Sequence, residues 1–216
     1  MKAKEDLILN NDFYRRLDTI QIAKDLLGKV LVTNVEGQTT AGMIVETEAY
    51  NGAEDKACHA FGRRFTKRTQ VMYMEGGAAY VYLCYGLHHL FNIVTNIADT
   101  PHAVLIRAAE PLIGIDTMLH RTSKIKLDNT LAKGPGNMSK AFGIQKLHTG
   151  LLLNTNELFI AEPEFATVKY AIKLPVITAE NIIATPRIGV DYAGEDALLP
   201  YRFYVKGDKY VSGRKS

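Results

Sequence analysis

No stretch of the 216-residue chain approaches the ~20 consecutive apolar residues that cross a bilayer, which excludes a helical membrane span. The opening Met1-Lys2-Ala3-Lys4-Glu5-Asp6 is charged where a secretory leader needs an apolar core, so a cytoplasmic location is expected. Cysteine is scarce as well. Cys58 and Cys84 are the two, they fall in different elements, and they lack Cys-x-x-Cys spacing, which argues against a disulfide framework and against a zinc site. No metal and no cofactor is expected. There is also no repeat, no low-complexity tract, no dividing linker and no long basic tail, and the net charge of +3 permits a polyanionic partner without requiring one.

What is present suffices for one sizeable core: 47% of the residues are hydrophobic, and the length suits a single domain over 1–216. Residues 1–11 are expected to form an N-terminal tail. Asp18 or Thr19 caps a helix that presents Ile20, Ala23, Leu26 and Leu27 on one face and ends at Gly28. Two strands over 29–35 and 40–50 follow, joined through Glu36-Gly37. A helical turn is predicted from Asp55. A hairpin of β-formers over 79–97 turns at Tyr85-Gly86, and another strand runs over 103–108. Glu110-Pro111 is read as opening a helix to about Leu119, Gly134-Pro135-Gly136-Asn137 as leading into one over 138–142, and strands are expected near 151–153, 158–161, 182–184 and 201–205. The fold class is α+β, with a curved, mostly antiparallel sheet flanked by helices and a protruding hairpin.

Three features point to chemistry. Glu46, Glu48 and Tyr50 are two apart, so on a regular strand they share a face. Two carboxylates only ~6.5–7 Å apart along a strand can act as an acid and base pair, or simply face water, and the residues alone leave both open. In the hairpin, Tyr80 and Tyr82 share one face with Tyr85 at the turn, an arrangement that serves core packing as readily as the stacking of a flat guest. Arg107, inside an apolar strand, needs a partner or a cavity. Basic residues cluster at Arg63, Arg64, Lys67 and Arg68, and again at Arg202, Lys206, Lys209, Arg214 and Lys215; such runs are solvated faces or phosphate contacts.

Six islands ordered along 15–212 carry a resemblance: ETEAY at 46–50, the Gly52, Asp55, Ala57, His59 and Gly62 pattern, YVYLCYG at 80–86 with Asn92, LIRAAEP at 105–111, KGPGN at 133–137, and RIGV at 187–190. Together they resemble the alkyladenine type of 3-methyladenine DNA glycosylases, the methylpurine glycosylases. The resemblance implies a monofunctional, metal-free and monomeric enzyme that flips damaged purines out of duplex DNA and hydrolyses the N-glycosidic bond. No lysine Schiff base and no strand cleavage are involved, and an abasic site remains.

Carried over residue by residue, the resemblance makes Glu48 the general base, Arg107 the holder of the attacking water, and the Ile188 carbonyl a third contact to it. Tyr50 on one side and His59 with Tyr82 on the other would sandwich the base. Asn92 would reject normal guanine, Tyr85 would plug the vacated stack from the minor groove, and Met72 would border that groove. Arg63, Arg64 and Arg68 would meet phosphates, and Glu46 receives no role. Cationic adducts such as 3-methyladenine would gain ~0.5–2 kcal/mol from the electron-rich ring faces; 7-methylguanine, hypoxanthine and ethenoadenine are further candidates. The chain departs from the pattern at Leu87-His88-His89-Leu90 and at Phe61-Gly62-Arg63-Arg64. Two alternatives use the same residues differently: a free-nucleoside hydrolase needs no Tyr85, and a non-catalytic damage-binding protein needs neither Glu48 nor Arg107.

Overall fold

The structure, a computed structural model, describes residues 5–213. Eight strands form one antiparallel sheet: β1 (Val30–Val35), β2 (Gln38–Tyr50), β3 (Ala79–Cys84), β4 (His88–Thr95), β5 (His102–Ile113), β6 (Leu158–Ala161), β7 (Ile182–Thr185) and β8 (Arg202–Val205). The main order is β3-β4-β5-β2-β1-β6, with β8 pairing β2 and carrying β7 at its other edge. Five short helices surround it: α1 (Asn11–Tyr14), α2 (Thr19–Asp25), α3 (Ile115–Thr122), α4 (Pro135–Ala141) and α5 (Glu164–Tyr170). The α+β class is as expected, and among the described residues no helix is long and apolar enough to cross a membrane.

The thirteen-residue β2 organises the sheet. One edge pairs with β5 from Ala41 to Tyr50, while the other pairs first with β1 and then, at Glu46–Glu48, with β8. Residues 40–49 of β2 are buried on both faces, and its Met43 and Ile44 join Phe91, Ile93, Val104 and Ile106 in the main core. Ile22 of α2 with Leu26 at its end, and Met138 of α4 with Phe142 at its end, complete the main core. Asp18 caps α2 by accepting the Gln21 N–H at 2.9 Å, and Pro135 opens α4 where its missing N–H costs nothing.

Several expectations need correction. Leu7 and Leu9, inside the stretch read as a tail, are buried, and the Leu9 N–H bonds the Ile160 carbonyl at 2.8 Å; residues 1–4 lie outside the described residues. No helix opens at Glu110. β5 continues to Ile113, because Leu105–Ile113 remains paired with β2, and α3 begins only after Gly114. The helical turn placed at Asp55 is a 3-10 turn over Gly52–Glu54 that ends there, since the Asp55 carboxylate holds the Asn51 and Ala57 amides. The segment 151–153 supplies one bridge, Ala78 to Leu152, rather than a strand. Helix α5 was not foreseen.

Candidate active site

β2 and β5 are kept out of simple register at three points, two of them beside the acids. Val45 is an extra residue on β2 between the pairs Ile44–Ala109 and Glu46–Ala108, and Arg107 is an extra residue on β5 before the pair Thr47–Ile106. Bulges re-aim side chains. Here Arg107 meets both acids: its Nε donates to Glu46 Oε1 at 2.8 Å, and its Nη1 lies 3.1 Å from Glu48 Oε1.

Glu46, which sequence reasoning left without a role, is the centre of a buried charge cluster. Oε1 also accepts from Arg202 Nε at 2.7 Å and Ser212 Oγ at 2.9 Å, and Oε2 from the Ser212 N–H at 2.6 Å. Arg107 Nη2 donates onward to Ser212 Oγ at 3.0 Å. Two carboxylates and two guanidiniums thus balance, all at most 6% exposed, as buried charges require. Burial would lower the Arg107 pKa, but the negative Glu48 and Glu46 raise it above its ordinary value. Arg202 therefore leaves the basic surface run predicted for the C-terminal stretch, and Arg214 and Lys215 lie outside the described residues. The missed signal was local: a glutamate between Ile44, Val45 and Thr47 on an apolar strand demands a cation.

Glu48 shares the cluster but faces a cavity of about 240 Å³. Oε1 accepts from Arg107 and from the Ile188 amide N–H at 2.8 Å, and Oε2 accepts from the Tyr50 hydroxyl at 2.9 Å. A carboxylate has about four acceptor positions, so one on Oε2 is left for a water molecule. Ile188 touches Glu48 through its N–H, whereas the expected contact was its carbonyl to water. Burial, reinforced by Glu48, holds the Tyr50 phenol well above its usual pKa, so it stays a donor.

The same cavity is bordered by Glu48, Tyr50, His59, Met72, Tyr82, Tyr85, Asn92, Arg107 and Ile188. The seven residues assigned to the base or the chemistry and the two assigned to the minor groove, Tyr85 and Met72, therefore border one cavity. The cross-strand pairs Tyr80–Asn92 and Asn92–Leu105 put Asn92 beside the tyrosine strand and two strands from Glu48. Asn92 Nδ2 donates to the Tyr80 and Leu90 carbonyls, which fixes the amide in place.

His59 is held from both sides. Arg68 Nη2 lies 3.1 Å from its Nε2 and can only donate, so Nε2 accepts and Nδ1–H donates to the Tyr80 hydroxyl at 2.7 Å. Burial, with help from Arg68 and Arg64, lowers its pKa from 6.5 to about 4, leaving the ring neutral at pH 7. Its edge meets Tyr82 at a centroid distance of 4.6 Å.

At the mouth, Tyr85 is 92% exposed. Tyr85 and Gly86 both take positive φ, 50° and 71°, and the Leu87 N–H closes the turn onto the Cys84 carbonyl, the pattern of a type I′ turn. A tyrosine there costs ~1–2 kcal/mol relative to glycine-like freedom, and no packing on the tip offsets it. Met72 departs from its expected place: it is 1% exposed within an apolar cluster with Tyr80 and Val71, so it forms part of the cavity wall rather than a groove-bordering surface. Arg63, Arg64 and Arg68 are exposed, but Arg68 is committed to His59 and to the Tyr82 ring, 4.7 Å from its centroid. A second buried pair, also unforeseen, backs Tyr50: Arg187 binds Asp55 through both guanidinium ends at 2.5 and 2.8 Å and lies 4.9 Å from the Tyr50 centroid.

The pattern of the methylpurine-DNA glycosylase family matches residues 12–209. A Chlamydia abortus protein named "Putative 3-methyladenine DNA glycosylase" is 44% identical over 197 residues, covering 91% of this chain and 97% of its own length. Similarly named proteins from Desulfitobacterium hafniense and Bacillus cereus are 41% and 43% identical, covering 94% and 90% of this chain and 98% and 94% of their own lengths. The matched range includes all the residues that border the cavity, and the chain belongs to the methylpurine-DNA glycosylase family, DNA repair enzymes that hydrolyse N-glycosyl bonds.

Proposed function

We propose that the protein excises alkylated or deaminated purines, 3-methyladenine among them, from duplex DNA by base flipping and water attack. It would act as a cytoplasmic monomer without strand cleavage of its own. The observation that carries this reading is the shared cavity of Glu48 and Tyr85: a buried carboxylate with one acceptor position open lies below an exposed, strained tyrosine on a hairpin tip. A base inside a duplex is out of reach of any such carboxylate, so the nucleotide must leave the stack and something must fill the gap. Tyr85 is the projecting group, and the tyrosine-walled cavity takes the base. Its volume lies below the ~300–1,000 Å³ of drug-sized pockets, which suits a single purine ring system.

In the proposed reaction, the N-glycosidic bond breaks with its electron pair leaving on the purine, and the sugar passes through an oxocarbenium-like state. A water placed against Glu48 Oε2 bonds C1′ and gives its proton to Glu48. Arg107, held by Glu46, and the Ile188 amide fix the carboxylate for this step. Cationic adducts leave readily on their own account, so selection operates at bond breaking as well as in the slot.

The test is a panel of duplexes each carrying one damaged purine, run beside the free nucleosides. Free base with an intact but alkali-labile strand, no nucleoside cleavage, and loss of duplex activity in Tyr85→Ala are expected. Equal turnover of nucleosides, or full duplex activity in Tyr85→Ala, would favour the free-nucleoside hydrolase. Tight binding with no release at all would leave only a damage-binding protein.

A further inference from the structure

β4 pairs with β5 only from Asn92 onward, so next to the hairpin tip its outer edge, over 88–91, carries no further strand among the described residues. α4 packs there instead, and Gly136 lets the His88 ring come so close that an added Cβ would stand 3.0 Å from it. Beside them lies a hollow of about 280 Å³ that shares no residue with the base cavity. His88, His89, Arg121 and Lys140 line it, with Glu36 as its one acid. This is also where the chain departs from the family pattern, at Leu87-His88-His89-Leu90.

The charges of the hollow do not cancel. Arg121 donates through Nη1 to the Ala141 carbonyl at 3.4 Å and through Nη2 to the Val35 carbonyl at 3.1 Å. Burial lowers its pKa, opposed by the charge of Glu36, so the one acid is already matched. Lys140 has no carboxylate within 4.0 Å among the described residues. Burial and the nearby His148 lower the His89 pKa, so at pH 7 its neutral ring offers one N–H. An unmatched ammonium, a guanidinium held by backbone carbonyls and an imidazole donor together suit an anion with several oxygens.

Position identifies the anion. His88 follows Tyr85 by three residues, within ~10 Å along an extended strand. The minor groove is ~7.5 Å deep, so with Tyr85 at the level of the stack, His88 and His89 stand at the rim, where the backbone runs. The everted base enters among Tyr50, Tyr82 and Asn92. The hollow lies to one side, at the edge of β4, so the phosphate it meets belongs to a neighbouring nucleotide.

We propose that this hollow is a phosphate subsite: Lys140, with His88 and His89, holds one backbone phosphate of the duplex beside the everted nucleotide. The inference rests on the glycosylase reading above and adds a contact that carries no information about the lesion. Its work is to keep any duplex seated against the hairpin tip while bases are tested.

The test follows duplex affinity by fluorescence anisotropy as salt is varied, on damaged and undamaged duplexes. It compares the unmodified protein, Lys140→Gln, Lys140→Arg and Lys169→Gln, the last on α5 at the far edge of the sheet. One phosphate contact accounts for ~0.9 of the slope of log affinity against log salt. Lys140→Gln should lose about that much slope and bind both duplexes about fivefold more weakly at ~0.15 M salt, while Lys140→Arg and Lys169→Gln keep the slope. A second arm places one uncharged methylphosphonate linkage at each position around the lesion in turn. At one position it should weaken binding by the unmodified protein and cost nothing further in Lys140→Gln or His89→Ala. An unchanged slope in Lys140→Gln, an equal loss in Lys169→Gln, or a scan with no linkage coupled to Lys140 would overturn the subsite. If the couplings hold but the unmodified protein releases no base from the damaged duplex, the glycosylase reading fails and the phosphate contact does not.

Discussion

The most demanding consequence of the site concerns Glu46, the acid to which the resemblance assigns nothing. Its carboxylate is fully buried and takes four hydrogen bonds, two of them from guanidiniums. Glu46→Gln preserves shape but removes the charge, so Arg107 and Arg202 are left with one carboxylate, Glu48, between them. Hydrogen bonds to a charged group contribute ~1.5–3 kcal/mol each. Complete loss of a buried partner costs ~3–5 kcal/mol, a large share of a ~5–15 kcal/mol total. The glutamine variant should therefore lose ~2–4 kcal/mol, read as a lower urea midpoint at unchanged m. Glu46→Ala should sit at the edge of folding. Arg107 loses its anchor, so the folded fraction of Glu46→Gln should also release base at least tenfold more slowly while duplex affinity holds. A change in stability below about 0.5 kcal/mol, the scatter of ordinary surface substitutions, would refute the account of the cluster.

Other outcomes follow from single geometries. Tyr85→Gly removes the left-handed strain at the hairpin tip and should raise stability by a few tenths to ~1 kcal/mol in thermal melts, yet depress base release from duplex; a stability loss would mean the tip packs on something. Gly213 has φ +77°, and an added Cβ would lie 2.7 Å from Ile188 Cδ1. Gly213→Ala should strain this left-handed position by ~1 kcal/mol and turn the Ile188 side chain aside, read as a lower thermal midpoint with base release largely kept. The His59 pKa, lowered to about 4 from an unfolded value near 6.5, means the unfolded chain takes up this proton first. Its contribution to stability is complete above pH 6.5 and is lost as the pH falls toward 4. NMR titration of the His59 ring should place its midpoint near 4, and Arg68→Gln should move it upward.

Much of the site was legible because its residues lie on short motifs with strand periodicity. Glu46 and Glu48 fall on one face of β2 as alternation demands, Tyr80 and Tyr82 on one face of β3, and the Tyr85-Gly86 turn is where β-formers stop. What could not be read was set by long-range register. The bulges at Val45 and Arg107 decide that one arginine reaches both acids, and nothing local at Arg107 signals a bulge. Ser212 and Arg202 reach Glu46 from more than 150 residues away. The helix misplaced at Glu110 has the same origin: acid followed by proline is a helix-start signal, but pairing of β5 with the long β2 overrode it. Asp55 stood in a matched pattern, yet its work as partner to Arg187 depends on a loop 132 residues on.

The measurement closest to the heart of the account uses Glu48→Gln on a duplex carrying one ethenoadenine, whose fluorescence reports unstacking. The variant should bind the duplex and change the lesion's emission as the unmodified protein does, while free base fails to appear over many wild-type half-lives. Release at the unmodified rate would contradict the assignment of Glu48, and binding with no change in emission in either protein would contradict eversion into the tyrosine slot.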